Sequence, residues 1–161
     1  MTRADFARDY AASTEHFDRL ASAVPPDLLD AREPGGWSAR QVIHHVADSE
    51  AQSYVRLRRL VAEPSGSIVQ GYDEATWAQC QALGYEDLPV EHALQVFRAV
   101  RAASLDVVGR LTDDDLERVG HHTESGAYSV RQWLENYTAH PLDHAEQLQR
   151  AIAGGSVDVQ P

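Results

Sequence analysis

Four long stretches of this chain place apolar residues three and four positions apart, and prolines and glycines punctuate the gaps between them. At about 100° per residue, such positions fall on one side of an α-helix, so each stretch reads as a helix with one face to bury. The first runs from about Thr2 to Val24, carries Phe6, Tyr10, Phe17 and Leu20, and is stopped by Pro25-Pro26. The second runs from Ser38 to about Glu63 and ends before Pro64-Ser65-Gly66. Ser38 is its N-cap, with Gln41 as the other half of a capping box, and Ala39, Val42, Val46, Leu57 and Leu60 set its apolar arc. The third runs from about Pro89 to Leu111, with Leu94, Phe97, Val100, Leu105 and Val108 as its core face. The fourth runs from about Ser129 to Ala153, with Val130, Trp133, Tyr137, Leu148 and Ile152 on its stripe. Pro141 lies inside this last helix and, lacking an N–H, is expected to kink it.

Helices with one apolar face bury it against each other. Four of them, with almost no alternating pattern elsewhere, predict an all-α fold: a four-helix bundle of antiparallel type. The chain of 161 residues is expected to form one domain, 1–161, with a flexible polar tail over 154–161. The connection from Pro64 to Pro89 is long for a bundle loop and holds a short helical piece near Asp73 to Cys80. It is expected to cover one end of the molecule or its active site. Thr112 to Leu116 reads as a capped single turn, and His121 to Gly126 as a polar turn between two short extended pieces. Trp37-Ser38-Ala39-Arg40-Gln41 echoes Tyr128-Ser129-Val130-Arg131-Gln132, either as pseudo-symmetry or as a shared capping solution.

Charge and composition narrow the function. A net charge of −11 argues against nucleic acid and against an anionic membrane surface as partners. No run approaches the ~18 apolar residues of a membrane span. The single cysteine, Cys80, rules out an internal disulfide and fits a reducing cytoplasm. Asp5 and Asp9 near the start, with no long apolar run, argue against a signal peptide. All fourteen basic residues are arginine, which reads as a genomic composition bias.

The chemistry concentrates on histidines. His140 and His144, one turn apart, fall inside the apolar stripe of the fourth helix. Buried imidazoles need polar partners, and a pair at i and i+4 suits a shared divalent metal. On the second helix His44 and His45 point about 100° apart, and His45 lies nearer the apolar arc, which makes it the third ligand. Three histidines with open coordination positions match a catalytic metal site that lowers the pKa of a bound water or thiol. The competing reading is of core histidines hydrogen-bonded to Glu50 and Tyr137. Glu50, on the apolar side, is a fourth ligand, a general base, an acceptor for a histidine N–H, or a stripe-edge glutamate paired with an arginine. Asp143 is expected in solvent, and His16 and His92 at the surface. His121 and His122 line a pocket mouth or a solvated turn. Tyr72 and Trp77 form a pocket wall or ordinary packing. Cys80 has no adjacent histidine or basic residue and is not proposed as a nucleophile.

Gly36-Trp37-Ser38-Ala39-Arg40-Gln41-Val42-Ile43-His44-His45 through Ser49 resembles the helix-two signature of the DinB/YfiT superfamily. Gly71-Tyr72-Asp73-Glu74-Ala75-Thr76-Trp77 resembles the connecting segment of its YfiT branch, and His122 to Gly126 with His140 and His144 resembles that branch's C-terminal half. The resemblance implies a bundle holding a divalent metal, nickel or zinc, on His45, His140 and His144. Three imidazoles also accept iron or manganese. It further implies metal-dependent hydrolysis, or S-transfer with a low-molecular-weight thiol such as bacillithiol, mycothiol or glutathione, or thiol-dependent isomerisation of maleylpyruvate. It implies a homodimer as well. The branch often has histidine where this chain has Glu50 and Asp143, which alters the electrostatics near the metal. The expected function is therefore a cytoplasmic metalloenzyme acting on a small-molecule substrate, with thiol S-transfer ahead of hydrolysis. A non-catalytic, stress-related metal-binding bundle is the alternative of a different class.

Overall fold

Each of the four stripes is a helix. The computed structural model describes residues 3–155, so residues 1–2 and 156–161 of the expected tail lie outside the described residues, while 154 and 155, expected in the tail, belong to the last helix. The long helices are α1 (Arg3–Ser22), α2 (Ala39–Ala62), α4 (Glu91–Val108) and α6 (Val130–Gly155), with short helices α3 (Glu74–Gln79) and α5 (Asp113–Leu116) between them. Ser38 caps α2 through the full capping box with Gln41. Ser129 and Gln132 make the same reciprocal pair at the start of α6, which accounts for the sequence echo as one capping solution used twice. Asp73 caps α3, and Thr112 with Asp115 caps α5.

α1 and α2 each pack against both α4 and α6, so they stand on opposite corners of the bundle. Its core forms two apolar clusters. One gathers Phe17, Val42, Val46, Leu94, Phe97 and Leu148. The other gathers Tyr10, Leu57, Leu60, Val108, Trp133 and Tyr137. Chain direction follows from these sets: α1 and α6 enter the clusters in the same sense, and so do α2 and α4. The neighbours α1–α4 and α2–α6 are antiparallel as expected, whereas α1–α6 and α2–α4 run parallel. A parallel pair needs a return path as long as the helix, and the 24 residues of α2 span about 36 Å. This requirement explains the long connection. It does not merely close one end: it retraces α2, with Gln70 at Arg56, Tyr85 at Asp48, Glu86 at Gln41 and Leu88 at Arg40. The chain also adds a small sheet that the helical patterning did not reveal in full. β2 (Val119–His122) and β3 (Gly126–Ser129) form the expected extended pieces, and β1 (Ile68–Val69) from the connection pairs parallel to β2.

A polar layer crosses the bundle between the two clusters, and every long helix contributes to it. Ser13 and Thr14 come from α1, Glu50 and Ser53 from α2, Arg101 and Ser104 from α4, and His140 from α6. The expected core face of α4 is corrected here. Leu94, Phe97 and Val108 point inward, but Val100 and Leu105 are only half-buried, and Arg101 and Ser104 take the inward turn. Arg101 is the hub. It donates to both oxygens of Glu50 at 3.3 Å, to Ser13 Oγ and Thr14 Oγ1 at 2.8 Å, and to the carbonyls of Tyr10 and Tyr137. Its guanidinium also lies over the Tyr10 ring, 3.4 Å from the centroid. Pro141 gives this arrangement its logic. The i+4 donor to the Tyr137 carbonyl would be the N–H of residue 141, which a proline lacks, and Arg101 supplies the missing donor. α6 therefore continues through Pro141.

The pairing can be tested by a double-mutant cycle. Arg101→Met strands an ionised Glu50 in apolar surroundings and is expected to cost about 3–5 kcal/mol in urea unfolding near neutral pH. Adding Glu50→Leu should recover most of that loss. A double variant as unstable as the sum of its singles would rule out the pairing.

Candidate metal centre

α2 and α6 are antiparallel neighbours, so the inward positions of their middle turns meet. His45, His140 and His144 each offer one ring nitrogen, and the three nitrogens lie within 4.8 Å of one another. His45 Nε2 and His144 Nε2 face each other at 3.1 Å. The opposite side of two rings is occupied. His140 Nδ1 lies 3.2 Å from Glu50 Oε1, and His144 Nδ1 lies 2.6 Å from Gln147 Oε1. Both oxygens are acceptors, which assigns the protons to Nδ1 and leaves Nε2 as a bare lone pair on each ring. His140 Nε2 is buried with no hydrogen-bond partner. Such convergent lone pairs, with their rings oriented from behind, form a donor set that can hold a metal ion.

The electrostatics keep these lone pairs free. Burial, reinforced by the two neighbouring imidazoles, pushes His45 down to about 3. Burial, reinforced by His140, pushes His144 down to about 4. Glu50 shows the opposite balance. Burial raises it, but the Arg101 charge and the His140 hydrogen bond outweigh burial and hold the carboxyl below its ordinary value. Glu50 is thus an ionised, fully enclosed group that serves His140 Nδ1 and Arg101 together. Two of the sequence readings, the histidine acceptor and the arginine-paired glutamate, describe the same residue. Its position behind the ring does not suit the base or fourth-ligand readings.

His140 brings the cluster to the edge of a cleft of about 220 Å³, which His45 and His144 do not line. Arg56, Tyr72, His122, Tyr128, Tyr137 and His140 line it. Tyr72 is thus a pocket wall, with Trp77 packed on it at 4.5 Å between ring centroids, and His122 reaches the pocket while His121 stays exposed. His44 turns away as expected, with Nε2 at the Leu88 carbonyl, and Asp143 is exposed. A larger cleft, about 450 Å³ and lined by Gln41, Cys80 and Tyr85, touches none of the three histidines. Sequence reasoning missed three groups. Arg101 was visible as a break in the 94–97–101–104–108 stripe. Arg56 stands about 100° from its neighbour Leu57, at the margin of the apolar arc of α2, and gave only a weak signal. Glu74 carries no local signal: the path of the connection brings its Oε2 to 3.9 Å from His45 Nε2, on the open side.

A pH dependence follows from the buried histidines. Both are neutral when folded and take a proton near pH 6.5 when unfolded, so below that pH the unfolded chain binds more protons. The metal-free protein is expected to lose melting temperature as pH falls from about 7 to about 5, with no contribution from these groups above that range. His45→Gln should flatten the slope. An unchanged slope in that variant would show that His45 is not held neutral.

Residues 8–148 match the DinB superfamily. A protein of Oceanobacillus iheyensis named "putative metal-dependent hydrolase" is 36% identical over 114 residues, which are 71% of this chain and 64% of that protein. A Bacillus mycoides protein of the same description is 32% identical over the same shares. The chain thus matches just under two thirds of the length of these relatives. Among solved structures, YfiT from Bacillus subtilis superposes with a TM-score of 0.82 at 20% identity, covering 92% of this chain and 85% of that one. It is described as a probable metal-dependent hydrolase with an unusual four-helix bundle topology. A second four-helix bundle protein superposes with a TM-score of 0.63 at 23% identity, covering 92% and 98%. The family match takes in α2, the connection and α6 up to Leu148, and it establishes that this chain belongs to the DinB superfamily.

Proposed function

We propose that this chain is a divalent-metal-dependent enzyme whose ion sits on the Nε2 atoms of His45, His140 and His144. It would activate a small nucleophile against a small-molecule electrophile in the adjoining cleft. The observation that carries this reading is the convergence of three ring nitrogens from His45, His140 and His144, with His140 bordering a cavity. The spacing fits. Two nitrogens each about 2.0–2.1 Å from a tetrahedral zinc lie about 3.3 Å apart, close to the 3.1 Å between His45 and His144. Zinc or nickel suits three imidazoles, and iron or manganese is accepted. When bound, the metal supplies a lowered pKa to a water or thiol on its open face.

The side chains around the centre divide the remaining work. Glu50 and Gln147 fix the rings of His140 and His144 from behind, so that their lone pairs stay aimed at one point. Glu74 Oε2, 3.9 Å from His45 Nε2, would accept the proton that the nucleophile gives up. The nucleophile of first choice is a low-molecular-weight thiol such as bacillithiol or mycothiol, because a thiolate attacking a soft electrophile needs no oxyanion hole. Water, and hence hydrolysis, is the second reading. The names of the relatives favour it, as does the carboxylate of Glu74 on the open side.

Elemental analysis of untagged, chelator-free protein tests the site. About one ion per chain is expected in the parent, with loss in His45→Ala and His140→Ala. Full occupancy in either variant would overturn the assignment. Glu74→Gln should keep its metal but lose about 10²- to 10⁴-fold in thiol-dependent consumption of an electrophile. Metal binding with no turnover across a broad panel of thiols, electrophiles and esters would replace the enzyme with a non-catalytic metal-binding protein.

A further inference from the structure

Among the described residues two arginines are buried, and they differ in one respect. Arg101 has Glu50 as its counter-charge. Arg56 is 9% exposed, yet no carboxylate among the described residues lies within ion-pair distance of it. Its hydrogen-bond partners are neutral: Nε and Nη2 donate to the Gln70 carbonyl at 3.1 and 2.7 Å, and Nη1 donates to the Tyr137 hydroxyl at 2.6 Å. Neutral acceptors satisfy hydrogen bonds but leave the charge in place, and a buried, uncompensated cation is costly to keep. A guanidinium has five N–H groups. These bonds use three, which leaves one on each Nη. A pair of N–H groups on adjacent nitrogens is what a carboxylate engages with its two oxygens.

Arg56 lines the cleft that also contains His140. Its charge reaches the other walls: His122 is held below its ordinary range by burial first and then by Arg56, so the ring opposite is neutral and offers no competing cation. The carboxylates of the cleft are Glu74 and Glu124, both exposed. Glu124 packs onto Gly71, where an added Cβ would lie 2.4 Å from its carboxyl carbon. The cleft is therefore positive at its buried end and negative toward solvent. This polarity admits a molecule with one carboxylate directed inward and disfavours one carrying a second anionic group at the mouth. At about 220 Å³ the cavity is smaller than the ~300–1,000 Å³ of drug-sized ligand sites.

We infer that Arg56 is the anion-binding end of a substrate subsite: it takes the carboxylate of a small monocarboxylate whose other functional group lies toward Nε2 of His140. This rests on the metal-centre reading for the role of the second group, but not for the carboxylate contact itself. Arg56 is a binding residue on this account, and the tie it makes to Gln70 and Tyr137 holds the fork in place.

Two probes separate the claims. Metal-loaded protein is titrated calorimetrically with 3-mercaptopropionate and with the uncharged 3-mercaptopropionamide. The acid is expected to bind at least about tenfold more tightly to the parent. That preference should vanish in Arg56→Gln and persist in part in Arg56→Lys, with thermal melts showing that both variants fold. Equal affinity for the two probes in the parent, or an undiminished preference in Arg56→Gln, would overturn the subsite. If neither thiol binds, propionate titrated into metal-free protein decides the subsite. Shifts of the His122 ring resonances that depend on Arg56 uphold it, and their absence in the parent rejects it.

Discussion

The buried pair of Glu50 and Arg101 is the interaction on which the rest of this structure depends. Glu50 is enclosed among four helices and ionised, a state that burial alone would forbid. Arg101 makes it possible, and Arg101 is itself held by α1 through Tyr10, Ser13 and Thr14 and by α6 through the Tyr137 carbonyl. One guanidinium therefore ties three helices to a carboxylate on the fourth. The carboxylate then fixes the ring of His140. A charge network of this kind adds little net stability compared with apolar packing, and its value lies in holding one geometry.

Topology places that network beside a pocket. Because α2 and α4 are parallel neighbours, the chain must travel back along the bundle between them, and it does so over α2. Glu74, Tyr72 and Gln70 arrive at the histidines and at Arg56 on this return path. In a simple up-and-down bundle with short loops, the same three histidines would face solvent or another helix with nothing above them. The connection supplies the walls, the hairpin of β2 and β3 adds His122 and Tyr128, and α6 closes the floor.

The sequence was most readable where side-chain direction follows from helical phase. Phe6, Tyr10, Val42, Leu57, Trp133 and Leu148 are buried as their spacing requires, and His45, His140 and His144 meet because two apolar stripes must meet. The same rule failed at α4. Val100 and Leu105 looked like core residues by type, while phase favoured Arg101 and Ser104, and phase won because Glu50 and Ser13 await them across the bundle. Helix order around the bundle was not legible, since periodicity says which face is buried but not against which neighbour. Glu74 and Arg56 stayed unrecognised as site residues for that reason: each acquires its place only once the connection is known to retrace α2.

Anomalous diffraction from crystals of the metal-loaded protein tests the central claim most directly. The expected result is one strong peak about 2.0–2.3 Å from the Nε2 atoms of His45, His140 and His144, with Glu50 still on His140 Nδ1 and Arg101 still on Glu50. An ion ligated by Glu50 itself, or bound through Nδ1 of His140 with the ring turned over, would contradict it. Either outcome would mean that the charged layer does not orient the centre.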